Sequence, residues 1–528
     1  MNGRQSTADY FRFCPGEEQI HISNAICRGR RVAHYPKCPG CRFNDDEKSA
    51  VGEESNSAAD LVGFLAQPNE YLGPVPEALA PEAAWRIGHA AAQYLHGRLR
   101  GLDRADPKIR SLVVGRDVRS ASLDHQCALI RGVHSTGIDV IDVGAIDTPQ
   151  LYFAVSHFGA CGGVQISAGR HRPGFTGFNV CAAKGLPIGA ETGLASIRDI
   201  AVRVPRHQTG MSGARRDVDL SEPYRDFVRS ALPPAERLAR PTKVVVDAQH
   251  GAAGRWLPII FDRVRGLSIV PLNYQGDDES RRPSDPFTPQ TLSPLRKAVK
   301  DHKADFAVAF DADADACAFV DEKSMTVPPD LIATLLGRRL IEREPGAVVV
   351  FDLRFGLAAA EEVQRSGGIH IRERIGQTHI RKTMAERHAI FGADLSGRQY
   401  FRDAFFCENA LLAFAHILSL LSETGRKLGE LVRPLGRYRS SGQMRLACPD
   451  PTNALANVVS AHPNAQIDRL DGLAVRYPDW WFHVREAGAP DHLNLLLEAR
   501  TKKLVDHHLA ELAYTLKAKA EISSAEPC

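Results

Sequence analysis

The chain repeats one alternation. A short run of apolar, often β-branched residues enters a glycine-rich or polar turn, and a longer stretch follows with apolar positions three and four apart. Ser111 to Val114 is such a run; a helix begins near Ser122, a second strand lies near Val140, and a further helix carries Tyr152 and Phe153. Lys243 to Asp247 (KVVVD), Phe306 to Phe310 and Ala347 to Phe351 (AVVVF) begin the later rounds. Strands apolar on both faces are covered on both sides, and strands alternating with helices build mixed, largely parallel sheets. Ala80 to Leu99 carries the apolar stripe of a helix packed on such a sheet. The expected fold class is α/β: three consecutive mixed-sheet α/β domains plus a smaller α+β C-terminal domain that begins near Tyr438.

Composition narrows this picture. At 528 residues the chain exceeds one core and fits three to four domains. Hydrophobic content of 44% and charged content of 24% are ordinary for a globular protein, and a net charge of +3 gives no reason to expect nucleic acid. No apolar run approaches the roughly 20 residues of a membrane span. The N-terminal MNGRQSTADYFRFCPGEEQ lacks the apolar centre of a secretory signal. Eleven cysteines, an odd number over a long chain, read as reduced thiols, so the expected compartment is the cytoplasm.

Residues 1–58 form a Cys-containing arm and linker. Cys14, Cys27, Cys38 and Cys41 could supply four thiolates to a tetrahedral Zn2+, with Cys38 and Cys41 in one CxxC turn and His21 and His34 as alternative ligands. A zinc ribbon normally has two such turns, so free thiols in a loosely ordered arm are the competing reading.

The stretch from Gly163 to Val180, GVQISAGRHRPGFTGFNV, resembles without gaps the phosphoserine loop of the α-D-phosphohexomutases (phosphomannomutase, phosphoglucomutase and relatives), usually GVMVTASHNPPEYNGFKV. Gly115 to Ser120 is similar to that family's GRDTR segment, and the likeness runs from about Leu61 to Glu511. It implies family domain I at 59–215, II at 216–322, III at 323–437 and IV at 438–520. Such enzymes pass a phosphoryl group from a phosphoserine to a hexose phosphate and take one back, chemistry that rests on positioning and charge neutralisation.

Position by position, the resemblance implies losses. Gly169 stands where the nucleophilic serine belongs, and Asn179 replaces a basic residue. Ser167, two residues earlier, is the candidate substitute nucleophile; two residues of extended chain span roughly 6–7 Å, which argues for an ordinary loop serine. Asp311, Asp313 and Asp315 match the family's DGDADR metal loop, so weak Mg2+ binding competes with a merely solvated acidic loop. Ala312 in place of glycine is expected to hinder the turn there. Asp394, Ser396 and Arg398 replace the sugar loop GEMSGH, exchanging a titratable histidine for a permanent cation. Of the phosphate loop only Arg485 persists, because Ala487, Gly488 and Ala489 replace its Ser-Asn-Thr donors.

Together these losses suggest a phosphohexomutase-like protein of carbohydrate metabolism that no longer catalyses and acts in binding or regulation. The alternative is a divergent active phosphohexomutase, an intramolecular phosphotransferase. A sugar phosphate or another anion is the expected ligand, with a protein as a second candidate partner and neither nucleic acid nor membrane expected. Arg170, Arg172 and Arg398 would make the cleft basic, unless they are surface arginines with no ligand.

Overall fold

The computed structural model describes residues 11–13, 21–23, 71–74, 81–99, 106, 108–119, 122–167, 169, 175–189, 192–204, 213–275, 285–487, 491–516 and 519–521. The four candidate zinc ligands, His34, Arg170, Arg172 and residues 488–490 lie outside the described residues. The chain divides into Met1–Phe64 and Leu65–Cys528. In the first unit β1 (Phe11–Phe13) pairs antiparallel with β2 (His21–Ser23).

The second unit holds four sheets. The first joins β3 (Tyr71–Pro74), β4 (Ser111–Arg116), β5 (Asp139–Ala145), β6 (Gly162–Ile166), β7 (Phe175–Ala182) and β8 (Arg215–Asp217) in the order β3-β7-β6-β4-β5-β8. Its centre is parallel, β4 lying between β5 and β6, and β7 turns back antiparallel on β6.

The next two sheets share one plan. β9 (Arg237–Asp247), β10 (Arg265–Leu272), β11 (Phe306–Phe310), β12 (Cys317–Val320) and β13 (Thr326–Val327) run in the order β10-β9-β11-β12-β13. β14 (Val348–Asp352), β15 (Ile369–Glu373), β16 (Phe391–Ala393), β17 (Gln399–Phe401) and β18 (Cys407–Glu408) repeat it as β15-β14-β16-β17-β18. In both, three parallel strands are followed by an antiparallel return. The expected alternation is thus realised, with every residue of FAVAF in β11 buried.

One extended core runs through these three sheets. The helix Ala410–Thr424 (ALLAFAHILSLLSET) is buried along most of its length and sends Phe414 against Phe261, Phe306 and Phe310. A helix apolar on every side needs such a covered position.

The last sheet is antiparallel: β19 (Arg439–Ser440) beside β24, and β20 (Met444–Ala447), β21 (Gln466–Asp468), β22 (Leu473–Arg476), β23 (Trp480–Glu486), β24 (His492–Ala499) and β25 (Lys519–Glu521) in the order β21-β22-β23-β24-β20-β25. It has its own core around Val475, Phe482, Val484 and Leu497, with helices Pro451–Ala461 and Lys502–Thr515. The C-terminal α+β unit follows the expectation.

Candidate functional site

The acidic loop leaves β11 and returns through β12, so its three aspartates stand at the C-terminal end of a parallel strand, where ligands of α/β sheets collect. The left-handed position of the turn is Ala314, with φ 56°, whereas Ala312 has no positive φ, so the expected hindrance does not fall on Ala312. The backbone of Ala312 sits so close to Gly251 that a Cβ on that glycine would lie 2.5 Å from the Ala312 carbonyl oxygen. The glycine-rich turn after β9 therefore sets the height of the acidic loop.

Each carboxylate of the triplet is turned to partners within the fold. Asp311 accepts from the backbone N–H groups of Asp315 (3.0 Å) and Ala316 (3.2 Å). Asp313 receives the Ser167 hydroxyl, 2.8 Å and 2.9 Å from its two oxygens, and that of Thr148 at 3.2 Å. Burial first, and the Asp315 charge second, push the Asp313 carboxyl up to about 7. Asp315 is paired with Arg398, whose Nε and Nη2 both lie 3.1 Å from its Oδ2.

Arg398 brings a second network with it. Its Nη1 donates to Ser396 Oγ at 3.2 Å, Ser396 donates to Asp394 through its backbone N–H (2.9 Å) and its hydroxyl, and Tyr400 donates to the other Asp394 oxygen at 2.7 Å. Asp394 is buried, facing Tyr400 and Ser396. The structure thus joins the expected sugar loop to the expected metal loop through Arg398, aided by backbone pairing of Ala316 with Arg398. Arg485 stands apart, half-buried, with its guanidinium 4.0 Å from Asp471.

Gly169 has φ 54° and offers no side chain; a Cβ built there would lie 3.5 Å from Asp313 Oδ2. The glycine therefore stands over the acidic loop, with that oxygen the nearest atom among the described residues. Its N–H donates to Ser167 Oγ at 3.0 Å, and Ser167 is only 1% exposed. The serine thus touches the acidic triplet directly, and it is enclosed.

Sequence analysis did not single out Thr148, yet its hydroxyl lies between Asp313 (3.2 Å) and Gln165 (2.9 Å). Its position just after the helix cap Asp147 was the available signal. A cavity of about 330 Å3 opens beside Leu395 and Ser396, bordered by Arg354, Asp330, Gln443 and Trp481.

A divalent cation would need open oxygen ligands converging on one point. Among the described residues, the group of three such side chains at metal-ligand spacing is His507, His508 and Glu511, away from this loop. With a guanidinium on Asp315 and backbone donors on Asp311, the donor set as arranged does not fit Mg2+.

Three mixed sheets and a C-terminal antiparallel unit, with the acidic loop meeting a serine loop and a sugar-type loop, define a protein of the phosphohexomutase class. Residues 71–204, 222–324 and 328–438 match the phosphoglucomutase/phosphomannomutase α/β/α domains I, II and III. The chain is 30% identical over 452 residues to a phosphomannomutase of Salmonella montevideo, covering 82% of this chain and 96% of that protein. It belongs to the phosphoglucomutase/phosphomannomutase family. A crystal structure of a family protein from Burkholderia thailandensis superposes with a TM-score of 0.76 at 23% identity, covering 87% of this chain and 98% of that one. An Aspergillus fumigatus N-acetylphosphoglucosamine mutase, solved with GlcNAc-6P and magnesium, shares the fold with a TM-score of 0.52 at 12% identity, covering 87% of this chain and 99% of that one.

Proposed function

We propose that this family member binds a sugar phosphate or a similar anion without turning it over, and serves in binding or regulation within carbohydrate metabolism. The observation that carries this reading is the closed charge network at the cleft. The acidic triplet is occupied by Arg398, Ser167, Thr148 and backbone N–H groups, and Gly169 presents no nucleophile to it. Phosphoryl transfer needs an acceptor oxygen placed within about 1 Å of its in-line position and a counter-charge free to follow the moving group. Arg398 supplies a counter-charge, but one fixed to Asp315. Mg2+ would have to displace it, so cation binding is weak at most. The relatives' names support the ligand class.

The test is a coupled assay with glucose 1-phosphate and mannose 1-phosphate, together with intact-mass analysis after incubation with a hexose bisphosphate. The expected result is neither turnover nor an added phosphoryl group. Stoichiometric phosphorylation of a serine would overturn the proposal.

A second reading has one observation in its favour. Ser167 donates to a carboxylate whose proton affinity lies near neutrality, the arrangement of a nucleophile and its base. In a divergent mutase, Ser167 Oγ would take the phosphoryl group from a hexose bisphosphate while its proton passed to Asp313, and the sugar oxygen released as the P–O bond breaks would leave as a hydroxyl after taking up a proton. Its near-complete burial argues against this. A phosphoprotein lost in Ser167→Ala would establish it.

A further inference from the structure

Away from the cleft, the edge strand β15 of the third sheet faces the edge strand β21 of the C-terminal sheet. Between them lies a cavity of about 530 Å3 lined by Arg372, Gln466, Ile467, Asp468, Arg469 and Arg476. That volume is within the range of small-molecule sites. None of the cleft residues Gly169, Asp311, Asp313, Asp315, Arg398 or Arg485 lines it.

The charges lining this cavity do not balance. Among the residues lining it three arginines face one aspartate, while Asp352 and Glu498 act on Arg372 and Arg476 from behind the lining. Arg372 donates through Nη1 to Asp468 Oδ2 and through Nη2 to the Leu353 carbonyl, both at 2.9 Å, while its Nε has no hydrogen-bond partner among the described residues. Arg476 lies over the Trp481 ring, with its carbon 5.5 Å from the centroid, and its Nε and Nη2 likewise have no partner among the described residues. His370, two residues before Arg372 and so on the same face of β15, is a third buried group with an unpartnered ring nitrogen, Nε2.

The mutual cost is visible in proton affinity. Burial, and then the Arg476 charge, push Arg372 down to about 10, and burial with both arginines pushes His370 down to about 3. Buried guanidinium N–H groups without acceptors are unfavourable, and like charges close together add to that. A tetrahedral oxyanion corrects both at once, because it offers several acceptor oxygens and about two negative charges to forked donors.

We propose that the cavity between β15 and the β21–β22 hairpin is a binding site for a small phosphate-bearing anion, held by Arg372, Arg469 and Arg476. The anion joins the third sheet to the C-terminal unit, so its binding stabilises their junction. The inference holds whether or not the cleft catalyses.

The experiment uses the full chain and inorganic phosphate. Titration calorimetry and thermal melting are run at constant ionic strength, with chloride replacing phosphate. The expected result is saturable binding and a rising melting temperature. Arg469→Ala, at an exposed position, and Arg476→Gln should each weaken binding about tenfold, a usual scale for loss of a charge-assisted contact. Arg485→Ala should leave the affinity within about twofold. If Arg476→Gln does not fold, Arg469→Ala decides. Absence of saturable binding, binding untouched by the cavity variants, or binding abolished by Arg485→Ala each overturns the proposal.

Discussion

Two guanidinium–carboxylate pairs join separate parts of this molecule, and they differ in what surrounds them. Arg398 and Asp315 link the third sheet's loop to the second sheet's acidic loop; the guanidinium is half-buried and enters a chain of donors ending at Tyr400. Arg372 and Asp468 link the third sheet to the C-terminal one, but two further arginines share the space and several N–H groups of Arg372 and Arg476 have no partner among the described residues. In the first pair one guanidinium meets one carboxylate; in the second, three guanidinium groups and one carboxylate line a shared cavity. Capacity to take an anion follows the unmatched donors, and of these two places, among the described residues, those lie at the β15 cavity.

The largest effect should come from breaking the closed pair. Arg398→Ala leaves Asp315 as a buried charge without its counter-ion, which typically costs about 3–5 kcal/mol. Urea unfolding would measure it, and a double variant with Asp315→Asn should recover most of the loss, because a neutral amide needs no cation. A cost below about 1 kcal/mol for Arg398→Ala would mean that the mouth is not closed as described.

The next test concerns Asp330, at the cavity beside the sugar-type loop. Burial, and then the Glu498 charge, raise its carboxyl from 3.8 to about 7. The folded protein therefore keeps a proton that the unfolded chain has released. This contribution to stability is complete below about pH 4 and is lost as pH rises through 7. Asp330→Asn should flatten that part of the stability–pH curve relative to the parent chain. An unchanged slope would remove Asp330 as its source.

Much of the fold was legible before the structure. Runs such as KVVVD and FAVAF announced doubly covered strands, and the order of loops announced the family. The site was less legible, for physical reasons. The positions of Gly169 and the three aspartates could be read from local spacing, but the Arg398–Asp315 pair spans 83 residues, and no periodicity encodes it. Asp394 was expected to face a sugar because sequence does not reveal that Tyr400 and Ser396 draw it inward. Ser167 was set aside on extended-chain spacing, whereas Gly169 is left-handed, donates its N–H to Ser167 Oγ, and that hydroxyl reaches Asp313. Uniformly apolar stretches such as Ala410–Thr424 carry no period, so that helix was not singled out.

A smaller effect is expected from supplying the missing hydroxyl. For Gly169→Ser the nearest atom to the new Cβ among the described residues is 3.5 Å away, but a side chain at φ 54° costs about 1–2 kcal/mol in backbone strain. The variant should fold with that loss and still show no mutase turnover, since Arg398 and the altered phosphate loop are unchanged. Activity restored by this single change would show that the mouth lacked only its nucleophile, and the closed network would then not be what silences it.

The smallest effect sharpens the comparison most. Arg372→Met removes a guanidinium whose partner Asp468 is 37% exposed, so the lost pair is worth about 0–1 kcal/mol. The same change removes the like-charge contact between Arg372 and Arg476, and the buried Asp352 keeps its pair with Arg354. The net change without phosphate should stay within about 1 kcal/mol, against several for Arg398→Ala. With saturating phosphate the loss for Arg372→Met should grow, because the anion stabilises the parent chain and not this variant, whereas the loss for Arg398→Ala should stay as it was. Equal losses for the two arginines would make the junction a closed pair like the one at the mouth, and the difference between the two regions would vanish.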